Sequence, residues 1–125
     1  MIRKELLSVS NEKWSDPDFC LKAVKDNGES LGFVQEKIIS VEMCLAAVRQ
    51  DGEALEYVPK QFYTETLFLE AVRQNGLALA YVPKLLFTRA IVTAAVQQNR
   101  KALQYVPDIW REEAKSTINN KEKMP

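Results

Sequence analysis

Residues 47–59, AVRQDGEALEYVP, return along the chain as AVKDNGESLGFV from Ala23, AVRQNGLALAYVP from Ala71 and AVQQNRKALQYVP from Ala95. Each copy begins 24 residues after the last, with no insertion or deletion. A fixed period of that size marks supersecondary units stacked on one another, each too small to bury its own apolar face alone.

Columns of the repeat then assign the elements. Asp16, Ser40, Thr64 and Thr88 share one column, and the side-chain oxygen of each can accept from the free amides of a helix start. Pro17 follows the first of them, where its missing donor costs nothing. A helix of about eleven residues runs from each cap. It stops at Asn27-Gly28, Asp51-Gly52 and Asn75-Gly76, which predicts a terminus with Gly in the left-handed conformation; Arg100 fills the same slot in the fourth copy. At about 100° per residue, Phe19, Cys20, Ala23 and Val24 fall within one arc, as do Met43, Cys44, Ala47 and Val48. Asp18, Lys22, Lys25, Asp26, Glu42, Arg49 and Gln50 face outward. The column of small Ala residues lets backbones approach closely.

The second half of each copy carries Leu31, Leu55, Leu79 and Leu103, then Phe33, Tyr57, Tyr81 and Tyr105, then a constant Val. A short second helix fits this spacing, ending at the Val because Pro59, Pro83 and Pro107 disfavour the α conformation before them. A turn or brief 3₁₀ segment is expected at Ile38-Ile39, Phe62-Tyr63 and Leu86-Phe87.

These columns predict an all-α fold: a short right-handed α-solenoid of four 24-residue helical-hairpin repeats with a half-repeat N-terminal cap. The single domain spans 1–118, with the cap at 1–15, repeats at 16–39, 40–63, 64–87 and 88–111, and a partial helix at 112–118. Leu7, Val9 and Trp14 occupy second-half columns and form the cap; Trp110 matches Trp14 at the far end. Residues 119–125 read as a polar tail.

Composition suits a folded domain, with 46% hydrophobic and 27% charged residues. Lys plus Arg equals Asp plus Glu at 17 each, so no overall field gathers nucleic acid or anionic membrane. No apolar run approaches the roughly 18 residues of a membrane span, and MIRKELLSVSNEKW lacks a secretory apolar stretch; synthesis and folding in a cytoplasm are inferred. Cys20 and Cys44 share a column with Phe68 and Val92, an apolar slot. With no histidine in the chain, neither a metal nor another cofactor is called for.

Leucine-rich repeats also have this period, but their motif asks for Leu five residues before the Asn, where Lys22, Ala46, Glu70 and Ala94 stand. The segment LAAVRQDGEALEYV, with its echoes at Leu21, Leu69 and Thr93, instead resembles the short helical repeat named domain of unknown function 4116 (DUF4116). The resemblance covers residues 14 to 111, recurs four times, and implies a bacterial protein of helical repeats with no assigned activity.

Enzymes need a positioned acid, base, nucleophile or metal, and the repeated polar residues here are those the fold needs for itself. Asn27, Asp51, Asn75 and Asn99 end helices and bond nearby backbone. The expectation is a noncatalytic protein–protein interaction module or scaffold whose partner is another protein. Its candidate surface is the exposed cation column Lys25, Arg49 and Arg73, with Glu70 pairing to Arg73 at i, i+3, and then Tyr57 and Tyr81. Two alternatives stay open: a secreted bacterial effector acting on a host protein, with REEAKSTINNKEKMP as export signal, and a helical-repeat nucleic-acid binder, against which zero net charge counts.

Overall fold

Capping decides where each helix begins. The computed structural model describes residues 12–123, and the side chains of residues 12–118. Every regular element among them is helical, with no strand. Four ten-residue α-helices each start one residue after a cap: α1 (Pro17–Asp26), α2 (Val41–Gln50), α3 (Glu65–Gln74) and α4 (Arg89–Gln98). Asp16 accepts from the Asp18 amide at 3.0 Å, Ser40 from Met43 at 3.2 Å, Thr64 from Leu67 at 3.1 Å and Thr88 from Ile91 at 3.2 Å. All four predicted caps therefore satisfy a helix-start donor.

The second half of each copy is helical but tighter than α. Six-residue 3₁₀ helices run Gly28–Phe33, Gly52–Tyr57, Gly76–Tyr81 and Arg100–Tyr105. Each ends before an extended Val, with ψ of 125° to 135°. Gln35 stands where later copies have Pro, yet Val34 is extended as well. The prolines thus reinforce a break that the packing already imposes. The expected brief 3₁₀ turns follow at Glu36–Ile38, Lys60–Phe62 and Lys84–Leu86.

Packing is sequential. Each α-helix lies against the next, each of the first three six-residue 3₁₀ helices contacts both its own and the following α-helix, and these 3₁₀ helices also pack on one another in order. The core between the two layers is formed by Val24, Val48, Val72 and Val96, by Leu31, Leu55 and Leu79, and by Ala47, Ala71 and Ala95, all at most 1% exposed. Cys20 and Cys44 are buried, as are Phe68 and Val92 in the same column, the predicted apolar slot. Phe19 and Ala23 are only half-buried. Trp14 closes the described N-terminal end, stacked on Phe33 at 5.2 Å and edge-on to Phe19 at 5.2 Å. Leu7 and Val9 lie outside the described residues.

Two expectations about backbone are corrected. No glycine has positive φ. Asn27, Asp51 and Asn75 are extended (φ near −150°), and the glycine after each opens the 3₁₀ helix rather than closing the α-helix. What demands Gly is the neighbouring copy. A Cβ on Gly28 would stand 2.5 Å from the Ala47 carbonyl oxygen, and one on Gly52 or Gly76 would collide with the oxygens of Ala71 or Ala95. The buried alanines and the glycines are two sides of the same close backbone approach.

The C-terminal boundary also differs. Instead of a partial helix over 112–118 and a tail, a continuous helix α5 runs Asp108–Lys123 and packs on α4. Glu112 occupies the cap column, where Asp, Ser or Thr stood before. With Asp108 at the start and strong helix formers at 112–115, no break interrupts the helix.

Candidate interaction surface

Polar residues that recur in the repeat mostly serve its own backbone. Asn27, Asp51, Asn75 and Asn99 accept from the amides of Glu29, Glu53, Leu77 and Lys101 at 2.9–3.1 Å, capping the 3₁₀ helices. The amides of Ser30, Ala54, Ala78 and Ala102 bond the main-chain carbonyls of those same caps at 2.9 Å. One donor per copy remains, the glycine amide. It donates across the junction, from Gly28 to Gln50 Oε1 at 2.6 Å, Gly52 to Gln74 at 2.6 Å and Gly76 to Gln98 at 2.5 Å.

Gln50, placed on the outward face by its helical angle, is therefore a fastener between copies. Sequence reasoning missed this ladder although a signal exists: Gly28, Gly52 and Gly76 are each matched by a Gln 22 residues on, and where Arg100 replaces Gly, Glu122 replaces Gln. Such paired columns report contact between units rather than within one.

The cation column is exposed at Lys25, Arg49 and Arg73, but its charges are not equivalent. Glu70 reaches back to Arg49, with Nε to Oε2 at 3.3 Å, rather than forward to Arg73 as its i, i+3 spacing suggested. Adjacent helices bring Glu70 beside the preceding copy's cation, so the middle of the stripe is partly neutralised. At its end Arg73 borders an open cleft of about 580 Å³ lined also by Arg89, Ala90, Thr93, Ala94, Gln97 and Gln98. Arg89 is held by Glu113 of α5 at 2.6 Å.

Tyr57 and Tyr81 sit on the other layer, at the ends of successive 3₁₀ helices. The Tyr57 ring lies over Gly32, where an added Cβ would be 3.0 Å from a ring carbon. Tyr81 is 36% exposed, and Tyr57 and Tyr105 are half-buried. Burial raises the pKa of the Tyr57 hydroxyl, with further increments from Glu56, Glu29 and Asp51. Tyr81 is raised by burial and then by Glu56, Glu53, Tyr57 and Tyr105. Five candidate residues thus occupy two separate surfaces, cations on the α layer and aromatic rings on the 3₁₀ layer.

Both cysteines are buried free thiols. Cys20 Sγ donates to the Trp14 carbonyl at 3.3 Å. Burial raises its pKa, with a contribution from Asp16, and pushes the Cys44 thiol up to about 11. Both stay protonated thiols near neutrality, unsuited to nucleophilic or ligand chemistry. Among the described residues no group of three or more Cys, Asp or Glu is placed to hold a metal ion, and no helix is long and apolar enough to cross a membrane.

A family model, Domain of unknown function (DUF4116), matches residues 16–63 and 65–111, two successive blocks of two copies each. No curated protein and no solved structure matches the chain.

Proposed function

The chain belongs to the DUF4116 family, and from that premise we propose that it is a noncatalytic protein-interaction module, built as a short right-handed α-solenoid of four helical-hairpin repeats. One observation carries the proposal: the recurring polar side chains are engaged in caps and in the Gln–Gly ladder, while a row of cations stays exposed in register with the repeat and a row of tyrosines stays partly exposed. A repeat array presents such rows as extended binding surfaces without any chemical centre. On the α layer, Lys25 and Arg73 carry the attraction for an acidic protein surface, and Arg49, tied to Glu70, adds less.

Shape and binding test the proposal separately. A compact globule of this length has a radius of gyration of about 14 Å, and the array exceeds that in small-angle scattering on a confirmed monomer. Photo-crosslinking from position 97, the next position of the same column, in a native lysate yields a discrete protein adduct. That adduct is lost when Lys25, Arg49 and Arg73 are all changed to Glu, although folding is nearly unaffected because exposed charges contribute little to stability. Absence of any protein adduct from either surface, or turnover of a substrate by the pure chain, overturns the module.

A further inference from the structure

In one junction the repeat pairs its cation across two helices, and in the next it leaves the pairing open. Arg49 is met by Glu70, 21 residues on and one α-helix further along the stack. The corresponding position for Arg73 is Ala94, which offers no carboxylate, and among the described residues Arg73 has no ion-pair partner. One residue earlier, Thr93 stands where Leu21, Leu45 and Leu69 stand in the other copies. Both replacements shorten the side chains of α4, and the cleft of about 580 Å³ lies over them, with Arg73 in its lining. That lining is rich in hydrogen-bond donors. Arg73 and Arg89 bring two guanidinium groups, and no Asp or Glu lines the cleft. Arg89 is held by Glu113, so the uncompensated charge is that of Arg73. Gln98 gives its Oε1 to the Gly76 amide, and its Nε2 has no acceptor among the described residues, whereas Gln74 Nε2 one copy earlier donates to the Gln50 carbonyl at 3.4 Å.

We propose that this cleft is the anchor site for a carboxylate of an acidic partner protein, a Glu side chain seated against Arg73 in the place that Glu70 takes against Arg49. This rests on the module reading and names the group that its cation column holds. Charge complementarity selects the anion: a carboxylate meets an uncompensated guanidinium and offers the Gln98 amide an acceptor, whereas a cation or an apolar side chain leaves both without one. The Arg49–Glu70 pair selects the length, because it shows a Glu side chain spanning from one helix to a cation of this column on the next. Room is sufficient as well. Ligand sites run to about 300–1,000 Å³, so the cleft admits the acidic side chain together with its adjoining backbone. The fourth copy therefore receives from a partner what the third copy supplies to the second from within the chain.

Titration of the intact, isotope-labelled chain with a hexaglutamate peptide, followed through its amide chemical shifts, tests this against a Gly-Ser peptide of equal length and against inorganic phosphate. Hexaglutamate moves the amides of Thr93, Ala94 and Gln97, the Gly-Ser peptide does not, and phosphate acts only at higher concentration. Ala94→Glu supplies the missing carboxylate from within the chain and weakens hexaglutamate binding about tenfold, as does Arg73→Gln, whereas Ala94→Gln, of the same size but neutral, retains most of it. Arg73 is exposed, so Arg73→Gln keeps the test valid even where a longer side chain at the half-buried Ala94 unfolds the copy. Absence of shifts at those three amides, equal affinity in Ala94→Glu and Ala94→Gln, unchanged affinity in Arg73→Gln, or tighter binding of phosphate overturns the carboxylate anchor. A protein adduct that still forms from position 97 shows the module itself to be intact in that event, whereas absence of adducts from both surfaces removes the module too.

Discussion

Between the third and fourth copies, Gly76 lies against the Ala95 carbonyl and gives its amide to Gln98. One period later Arg100 begins an equivalent 3₁₀ helix with a full side chain. The two positions share their backbone: each follows an extended Asn and opens six residues of 3₁₀ helix. What separates them is the next helix. After Gly76 comes an α-helix with a buried Ala at the contact; after Arg100 comes α5, which starts earlier and packs out of the repeat's pattern. Glycine here is a requirement of the neighbour and not of its own φ.

Interior and terminal copies should therefore respond differently to equivalent changes, and the largest contrast lies in the core. Leu79 is 1% exposed between two copies, whereas Leu103 is half-buried. Leu79→Ala removes fully buried methyl groups and leaves a cavity, costing about 2–5 kcal/mol; Leu103→Ala costs clearly less. Urea midpoints of the two variants check this. Equal losses would show that α5 completes the last copy as well as a repeat does.

Next in size is the junction. In Gly52→Ala, the added methyl meets the Ala71 oxygen and stands 3.0 Å from Gln74 Oε1, so the copies must separate or the ladder bond must break. Overpacking of this kind costs about 1–3 kcal/mol, more than the gain of roughly 0.4–1 kcal/mol from a stiffer unfolded chain. Arg100→Ala, at an exposed position that already carries a Cβ, costs less than Gly52→Ala. A stable Gly52→Ala protein with an unchanged denaturation midpoint would contradict the close approach.

These contrasts show what one sequence makes legible. Helix starts were readable because a cap is a local device: the Asp16, Ser40, Thr64 and Thr88 oxygens bond amides two or three residues away. The inner face was readable because burial follows helical angle, and Val24, Val48, Val72 and Val96 are all buried. The conformation of Gly76 was misread and the bonding role of Gln50 missed for the opposite reason. Their partners lie one copy away, and no local rule separates a glycine chosen for φ from one chosen for clearance. Glu70 illustrates the same limit, since helical spacing offers Arg73 while stacking supplies Arg49. The candidate residues were picked by column, but their division into cations on the α layer and aromatic rings on the 3₁₀ layer needed the packing.

A smaller effect sits in the first copy. Ser30 is fully buried in a column otherwise filled by Ala54, Ala78 and Ala102, and its hydroxyl has no hydrogen-bond partner among the described residues. An unsatisfied buried hydroxyl carries its desolvation cost uncompensated. Ser30→Ala removes that cost without opening a cavity larger than one oxygen, and stabilises the protein by about 1 kcal/mol in urea titration. Destabilisation would mean that the hydroxyl is satisfied after all and that this column is not purely apolar.

The smallest effect gives the sharpest test of why the glycines are there. If their slot required left-handed backbone, Arg100 would be strained, and Arg100→Gly would stabilise the fourth copy. The backbone shows no positive φ at any glycine, and Arg100 opens a regular 3₁₀ helix after an extended Asn99. Glycine at that place would relieve no strain and would add conformational freedom to the unfolded chain. Arg100→Gly should then destabilise by about 0.5–1 kcal/mol, measured beside Arg100→Ala so that loss of the side chain is subtracted. A higher midpoint for Arg100→Gly than for Arg100→Ala would restore φ as the cause; a lower one leaves the neighbouring carbonyl as the reason that Gly28, Gly52 and Gly76 carry no side chain.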